Sequence, residues 1–162
     1  MAKFSNLPKT LFRIIKLPPR LVYALGFGPI IGPLVLLLTT KGRVTGKPRV
    51  TPLQYERIGS SIVMGSSRGL KSDWVRNILA DSRVEIRIGR NRWKGEAEVV
   101  DDLDRIIKFL EIRLQNHPRM VGAILKSNGI TSKPTRTDLA KYAADTVIVI
   151  VEPLNRDSTL PL

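Results

Sequence analysis

The chain has 162 residues, 43% of them apolar, which suits one domain with a core of ordinary size. It contains no cysteine and one histidine, His117, which excludes disulfides, thiolate chemistry and metal sites rich in cysteine or histidine. Lysine and arginine total 27 against 14 aspartates and glutamates, a formal net charge of +13, and no acidic residue precedes Glu56.

A block of one sign over the N-terminal third concentrates anions. Nucleic acid, an acidic membrane surface and a phosphorylated or carboxylated cofactor are the classes it admits. Within that block, Leu7, Leu11, Ile14 and Ile15 share one face of a basic amphipathic helix that Pro18 and Pro19 end. Such a helix either packs on the domain with a solvated basic edge or docks on a membrane surface. Leu21 to Leu38 carry no charge, yet Gly26, Gly28, Pro29, Gly32 and Pro33 interrupt the stretch, which argues against a membrane span. No pattern of a cleavable signal peptide opens the chain. The expectation is a cytoplasmic protein, with peripheral membrane contact through residues 1–20 as an open alternative.

The apolar run Leu34 to Thr40 predicts a strand buried on both faces. Gly42 and Gly46 punctuate a turn, and a second strand is expected from Arg49 to Arg57. Gly59-Ser60 then forms a short hairpin into Ser61 to Gly65. Ser72 or Asp73 caps a helix whose apolar stripe is Trp74, Val75, Ile78 and Leu79. A period of two returns in Val84, Ile86 and Ile88, and again in Trp93, Ala97 and Val99 across a turn at Gly89 to Asn91. From Asp102, Leu103, Ile106, Ile107, Leu110 and Leu114 repeat at helical spacing up to Pro118, and shorter helices follow at Met120–Lys126 and Thr137–Ala144. Thr146 to Val151 forms a last strand, with a frayed tail expected from Glu152. Strands joined by hairpins, with helices between and after them, point to an α+β domain built on an antiparallel sheet or small barrel. A doubly wound fold is disfavoured, because no G-x-G-x-x-G opens a helix. Residues 1–20 make the N-terminal helix, 21–153 the domain and 154–162 a flexible tail.

Two segments carry chemistry. In Thr39 to Arg49, glycines let backbone N–H groups approach a ligand while Lys41, Arg43, Lys47 and Arg49 surround them with charge. An ordinary basic surface turn explains the same residues equally well. Ser66-Ser67-Arg68-Gly69-Leu70-Lys71 leads into a helix N-terminus, where free N–H groups favour anions. Here the plain alternative is a strand-to-helix loop with a cap. Together the two loops would grip one extended, multiply anionic ligand. Trp74 and Asn77, three apart on the following helix, would close over it, although a helical tryptophan more often belongs to the core. No paired carboxylates, serine–histidine pair or activated lysine stands out. A cofactor cradle without acid–base residues fits redox chemistry carried by the cofactor. Few aromatics interleave with the basic residues, so nucleic acid is not the expected partner.

Gly42-Arg43, Gly46, Pro48-Arg49 and Thr51-Pro52-Leu53, continued by Ser67-Arg68-Gly69, Trp74, Asn77 and Ala80-Asp81-Ser82-Arg83-Val84, resemble the deazaflavin-dependent nitroreductase family. Those proteins are split β-barrels related to flavin-binding oxidoreductases. The resemblance covers residues 34 to 100, and more loosely the closing Thr146–Pro153 strand. It implies hydride transfer from a reduced deazaflavin, coenzyme F-420, to a quinone, nitro compound or other electron-poor small molecule, by a monomer or homodimer. FMN is the alternative cofactor, and a non-catalytic cofactor carrier or a basic membrane-surface or nucleic-acid module the alternative class. By position, Arg43 and Arg49, with Arg68, match the anchor of the coenzyme's phosphate and glutamate tail. Thr51 and Pro52 match the segment beside the ring, and Trp74 and Asn77 the helix over the tail. The cofactor-binding set is completed by Thr45, Gly46, Lys47, Val50, Gly65, Ser66, Ser67, Gly69 and Lys71. Val44 departs from the basic residue of many relatives. The segment beyond Asp101 lacks their tyrosine pattern, with Tyr142 alone there, so the acceptor does not transfer.

Overall fold

The computed structural model describes residues 35–131 and 133–154, so the helix expected over 1–20 and the chain beyond Leu154 lie outside the described residues. The expected strand segments form seven strands: Val35–Lys41 (β1), Pro48–Gln54 (β2), Glu56–Ile58 (β3), Ser61–Ser66 (β4), Arg83–Ile88 (β5), Asn91–Val100 (β6) and Val147–Pro153 (β7). Each run of helical period forms a helix: Asp73–Ala80 (α1), Leu103–Asn116 (α2), Pro118–Ser127 (α3) and Arg136–Ala143 (α4). All seven strands join one sheet in the order β2-β1-β5-β6-β7-β4-β3, and every neighbouring pair is antiparallel.

The segment expected as one strand from Arg49 to Arg57 breaks at Tyr55. Residues before the break pair with β1, and residues after it pair with β4. β2 and β3 therefore stand at opposite ends of the sheet order, although one residue separates them in the chain. Two extended residues span only about 7 Å, so the sheet has to curl until its two edges meet. Tyr55 turns its ring into the interior at this corner, where burial pushes its phenol pKa upward.

Curling creates two cores. The inner one holds Leu36 and Leu38 of β1, Met64 of β4, Ile86 of β5 and Val149 of β7, closed by Trp74, Val75 and Ile78 of α1. The outer one packs Val63, Val100 and Ile148 of the sheet against Ile106, Phe109 and Leu110 of α2, Val121 and Leu125 of α3 and Leu139 of α4. Along β7, Val147, Val149 and Val151 enter the inner core while Ile148 enters the outer, which is why this strand reads as wholly apolar. Each fully buried aliphatic side chain adds about 1.5–3 kcal/mol. β7 also runs further than expected: Glu152 and Pro153 pair with Glu96 and Gly95 of β6.

Local signals set the joints. Gly59 and Gly89 take φ of +62° and +59° in two-residue hairpin turns, the left-handed conformation such turns require. Asp102 accepts the Arg105 backbone N–H at 2.8 Å to cap α2, and Thr135 and Asp138 form a reciprocal cap on α4. The Thr135 backbone N–H and hydroxyl hold the Asp138 carboxyl below its usual pKa. At the corner, the buried Glu56 carboxylate accepts from Arg113 Nε at 3.3 Å and Asn116 Nδ2 at 3.2 Å, with His117 Nε2 at 3.3 Å. Arg113 Nη2 also donates to Gln54 Oε1 at 2.8 Å, so the end of α2 clamps both strands beside Tyr55.

Gly95 marks the closest approach of β6 to β7: a Cβ there would lie 2.6 Å from Val151 Cγ1 and 2.7 Å from the Glu152 carbonyl. Gly95→Ala is expected to cost about 1–3 kcal/mol by forcing these strands apart, read as a lowered midpoint in urea denaturation.

Candidate functional site

The β1–β2 turn is closed by its own backbone. Gly42 N–H donates to the Lys47 carbonyl at 2.9 Å, and Gly46 N–H donates to the Gly42 carbonyl at 2.7 Å. Gly46 has φ +67°, and a Cβ on Gly42 would sit 3.0 Å from the Lys47 carbonyl and 3.5 Å from Arg49 Cγ. The turn is therefore tight enough for the Arg49 stem to lie beside Gly42, with Val44 86% exposed at its tip.

Asn77 joins this turn to α1. Its Nδ2 donates to Thr40 Oγ1 at 3.1 Å, and its Oδ1 accepts the Arg43 backbone N–H at 3.2 Å and Arg43 Nη1 at 3.1 Å. Both Asn77 and Thr40 are buried, so each of these bonds replaces one that water would have supplied. Arg43 Nη2 pairs with Asp73 Oδ1 at 2.9 Å, and Nη1 reaches the Asp73 carbonyl at 3.5 Å. Asp73 and Asn77 stand at i and i+4 on α1 and hold the guanidinium between them.

Between the turn, β2 and α1 opens a cleft of about 370 Å³ lined by Gly42, Arg43, Val44, Thr45, Arg49, Val50, Thr51, Asp73, Trp74 and Asn77. Register explains the lining: Thr51 and Arg49 lie opposite Leu38 and Thr40, whose side chains are buried beneath α1. Trp74 is 8% exposed, so most of its ring is core and an edge reaches the cleft. Among the described residues, the Arg49 side chain makes no hydrogen bond or ion pair.

Other residues expected at the site lie elsewhere. Pro52 is paired with Leu37 and shares the opposite face of the sheet from Thr51. Gly65 points to the outer layer, where a Cβ would meet Phe109 at 3.2 Å. Ser66 is buried, its hydroxyl 2.7 Å from that of Ser72, so the residue at the helix N-cap spends its side chain on the strand below. Gly46 borders a neighbouring depression with Lys41, Pro48, Asp81 and Arg83. There the Arg83 side chain and backbone hold the Asp81 carboxyl well below the usual carboxylate range, and Lys41 lies 3.7 Å away. Lys47 lies in the exposed turn, its backbone N–H 3.4 Å from Thr45 Oγ1. Ser67, Arg68, Gly69 and Lys71 line a separate depression with Asp101 and Asp145. Gly69 has φ +52°, and a Cβ would lie 2.6 Å from the Asp145 carbonyl, so the loop is docked on the α4–β7 connection. Tyr142 belongs to the outer core, on the face of the sheet away from the cleft.

The residue that sequence reasoning assigned only to helix capping is Asp73. Its position four before Asn77 is the signal that places both on one side of α1.

A curled antiparallel sheet plugged by a helix, with a cation-bearing cleft at one sheet edge, defines a split β-barrel. Residues 25–131 match the family model described as "F420H(2)-dependent quinone reductase", and the chain belongs to that family. An F420H(2)-dependent quinone reductase of Mycobacterium tuberculosis is 36% identical over 72 residues, which are 43% of this chain and 48% of that protein. The chain thus spans about half the length of the curated relatives it matches. A conserved hypothetical protein of Mycobacterium tuberculosis has a similar structure, with TM-score 0.57 at 15% identity over 82% of this chain and 80% of that one. An F420-H2 dependent reductase, FDR-A, gives TM-score 0.50 at 20% identity over 73% of this chain and 93% of that one. These likenesses bear out the split barrel and the family resemblance carried by the Thr39–Leu53 stretch.

Asn77→Ala leaves Thr40 and the Arg43 amide without their partner, at a cost of about 1–3 kcal/mol. The expected outcome is a lower unfolding midpoint together with faster hydrogen exchange confined first to Gly42–Lys47.

Proposed function

We propose that the protein binds the deazaflavin coenzyme F-420 in the cleft between the β1–β2 turn and α1. From there the reduced coenzyme would be oxidised by a quinone, a nitro compound or another electron-poor small molecule. The observation that carries this reading is the pairing of Arg49, a cation with no partner among the described residues, with the Thr45 and Thr51 hydroxyls and the edge of Trp74 in one cleft. That cleft lies inside the segment matched by the family model. Its donors suit a ligand with an anionic arm and a planar ring.

When bound, the coenzyme supplies a hydride, the two-electron half of the reduction. The chain supplies the rest. Arg49 attracts the anionic arm, and β2 is an edge strand of the sheet among the described residues, with its backbone groups on the side away from β1 unpaired by another strand there. The wall of Trp74 and Thr51 limits the positions a ring can take, which is an orienting contribution. Asp73 is the only carboxylate among the described lining residues, and it is paired with Arg43, so the proton that accompanies the hydride would come from solvent through the open cleft.

Mixing the protein with reduced F-420 and a soluble naphthoquinone tests the reading by the return of the oxidised coenzyme's absorbance. Oxidation well above the protein-free rate is expected, with micromolar or tighter binding of F-420 and at least tenfold weaker binding of FMN. No binding and no oxidation above background would overturn it.

A further inference from the structure

The two arginines of the cleft are not in the same electrostatic state. Arg43 is a neutralised fork: Asp73 takes Nη2, Asn77 and the Asp73 carbonyl take Nη1, and the Arg43 backbone N–H is committed to Asn77 as well. A guanidinium whose donors are already taken by a carboxylate at 2.9 Å and by an amide has few N–H groups left to offer a ligand, and the adjacent carboxylate offsets its charge. Arg49 projects from the opposite wall with no such partner among the described residues, its stem steadied beside Gly42.

We infer that the two arginines divide the work: Arg49 takes the anionic group of the ligand, while Arg43, neutralised by Asp73 and held by Asn77, is a positioning residue that fixes the turn bounding the cleft. Asp73 is thereby a specificity-determining residue, since its carboxylate masks one cation and repels anions that approach α1. The inference rests on the cleft being the ligand site proposed above. The shape of the guanidinium matters at position 43, because a lysine ammonium keeps the charge but cannot span Asp73 and Asn77 at once. At position 49 the charge itself matters.

The test compares Arg49→Gln, Arg43→Gln, Arg43→Lys and Asp73→Asn in the full chain. F-420 and inorganic pyrophosphate are titrated separately at low and high salt, and unfolding midpoint and hydrogen exchange are measured without ligand. Arg49→Gln is expected to weaken binding of both probes at least tenfold and flatten the salt dependence, with the unfolding midpoint unchanged. Arg43→Gln is expected to lower the midpoint and loosen Gly42–Lys47 without ligand, while the salt dependence stays as in the wild type. Arg43→Lys should fail to restore the turn. Asp73→Asn should tighten binding of both probes severalfold at low salt, the reverse of what a merely structural aspartate would give. Equal loss of affinity and of salt dependence in the Arg43→Gln and Arg49→Gln proteins, with the turn intact, would overturn the division of labour. Wild-type protein that binds pyrophosphate with this variant pattern but does not bind F-420 would overturn the cofactor reading alone. Absence of binding to either probe would overturn both.

Discussion

One residue separates the two strands that stand at opposite ends of the sheet, and the architecture follows from that constraint. Tyr55 cannot bridge more than a few ångströms, so the sheet closes on itself and encloses a volume. The enclosed volume has to be filled, and α1 fills it with Trp74, Val75 and Ile78. Once α1 sits there, its first turn faces the β1–β2 hairpin, and the cleft is the gap that remains. The ring of Tyr55 and the bonds from Arg113, Asn116 and His117 to Glu56 hold the corner shut from inside and outside.

Within the cleft, one amide organises what charge alone would scatter. Two cations line this one cleft, and like charges that share a gap repel each other. Asn77 and Asp73 remove that conflict by absorbing Arg43 into the framework. The result is a cleft whose unpaired charge, among the described residues, lies to one side rather than spread evenly over its lining.

Most of the fold was legible in the sequence because its signals are local. The alternation in Val84–Ile88, the two-residue turn at Gly59-Ser60 and the Asp102 cap each depend on residues a few positions apart. The break at Tyr55 was not legible. Arg49 to Arg57 reads as one strand, and only pairing with distant partners divides it. The site divides along the same line. Thr39 to Arg49 carried its glycines and cations openly, whereas the bond network at Asn77 crosses more than thirty residues of chain and left no periodic trace. Gly65 and Gly69 look alike as glycines near a binding loop. One makes room for Phe109 and the other for the Asp145 carbonyl, distinctions that arise only once α2 and the α4–β7 connection are packed.

β7 is buried on both faces and, with β4 and β6, forms the wall between the two cores. Substitutions among Phe109, Val121 and Leu139 are screened from the cleft by a full thickness of sheet, so their energetic effects should add to those of cleft substitutions. The outer helices can thus change in packing without moving the residues that line the cleft. The exception is the end of α2, where Arg113 bonds Gln54 at the end of β2 and, with Asn116, bonds Glu56 at the start of β3. A change in the outer layer therefore reaches the β2 edge through the last turn of α2, by way of the side chains it lends to the corner.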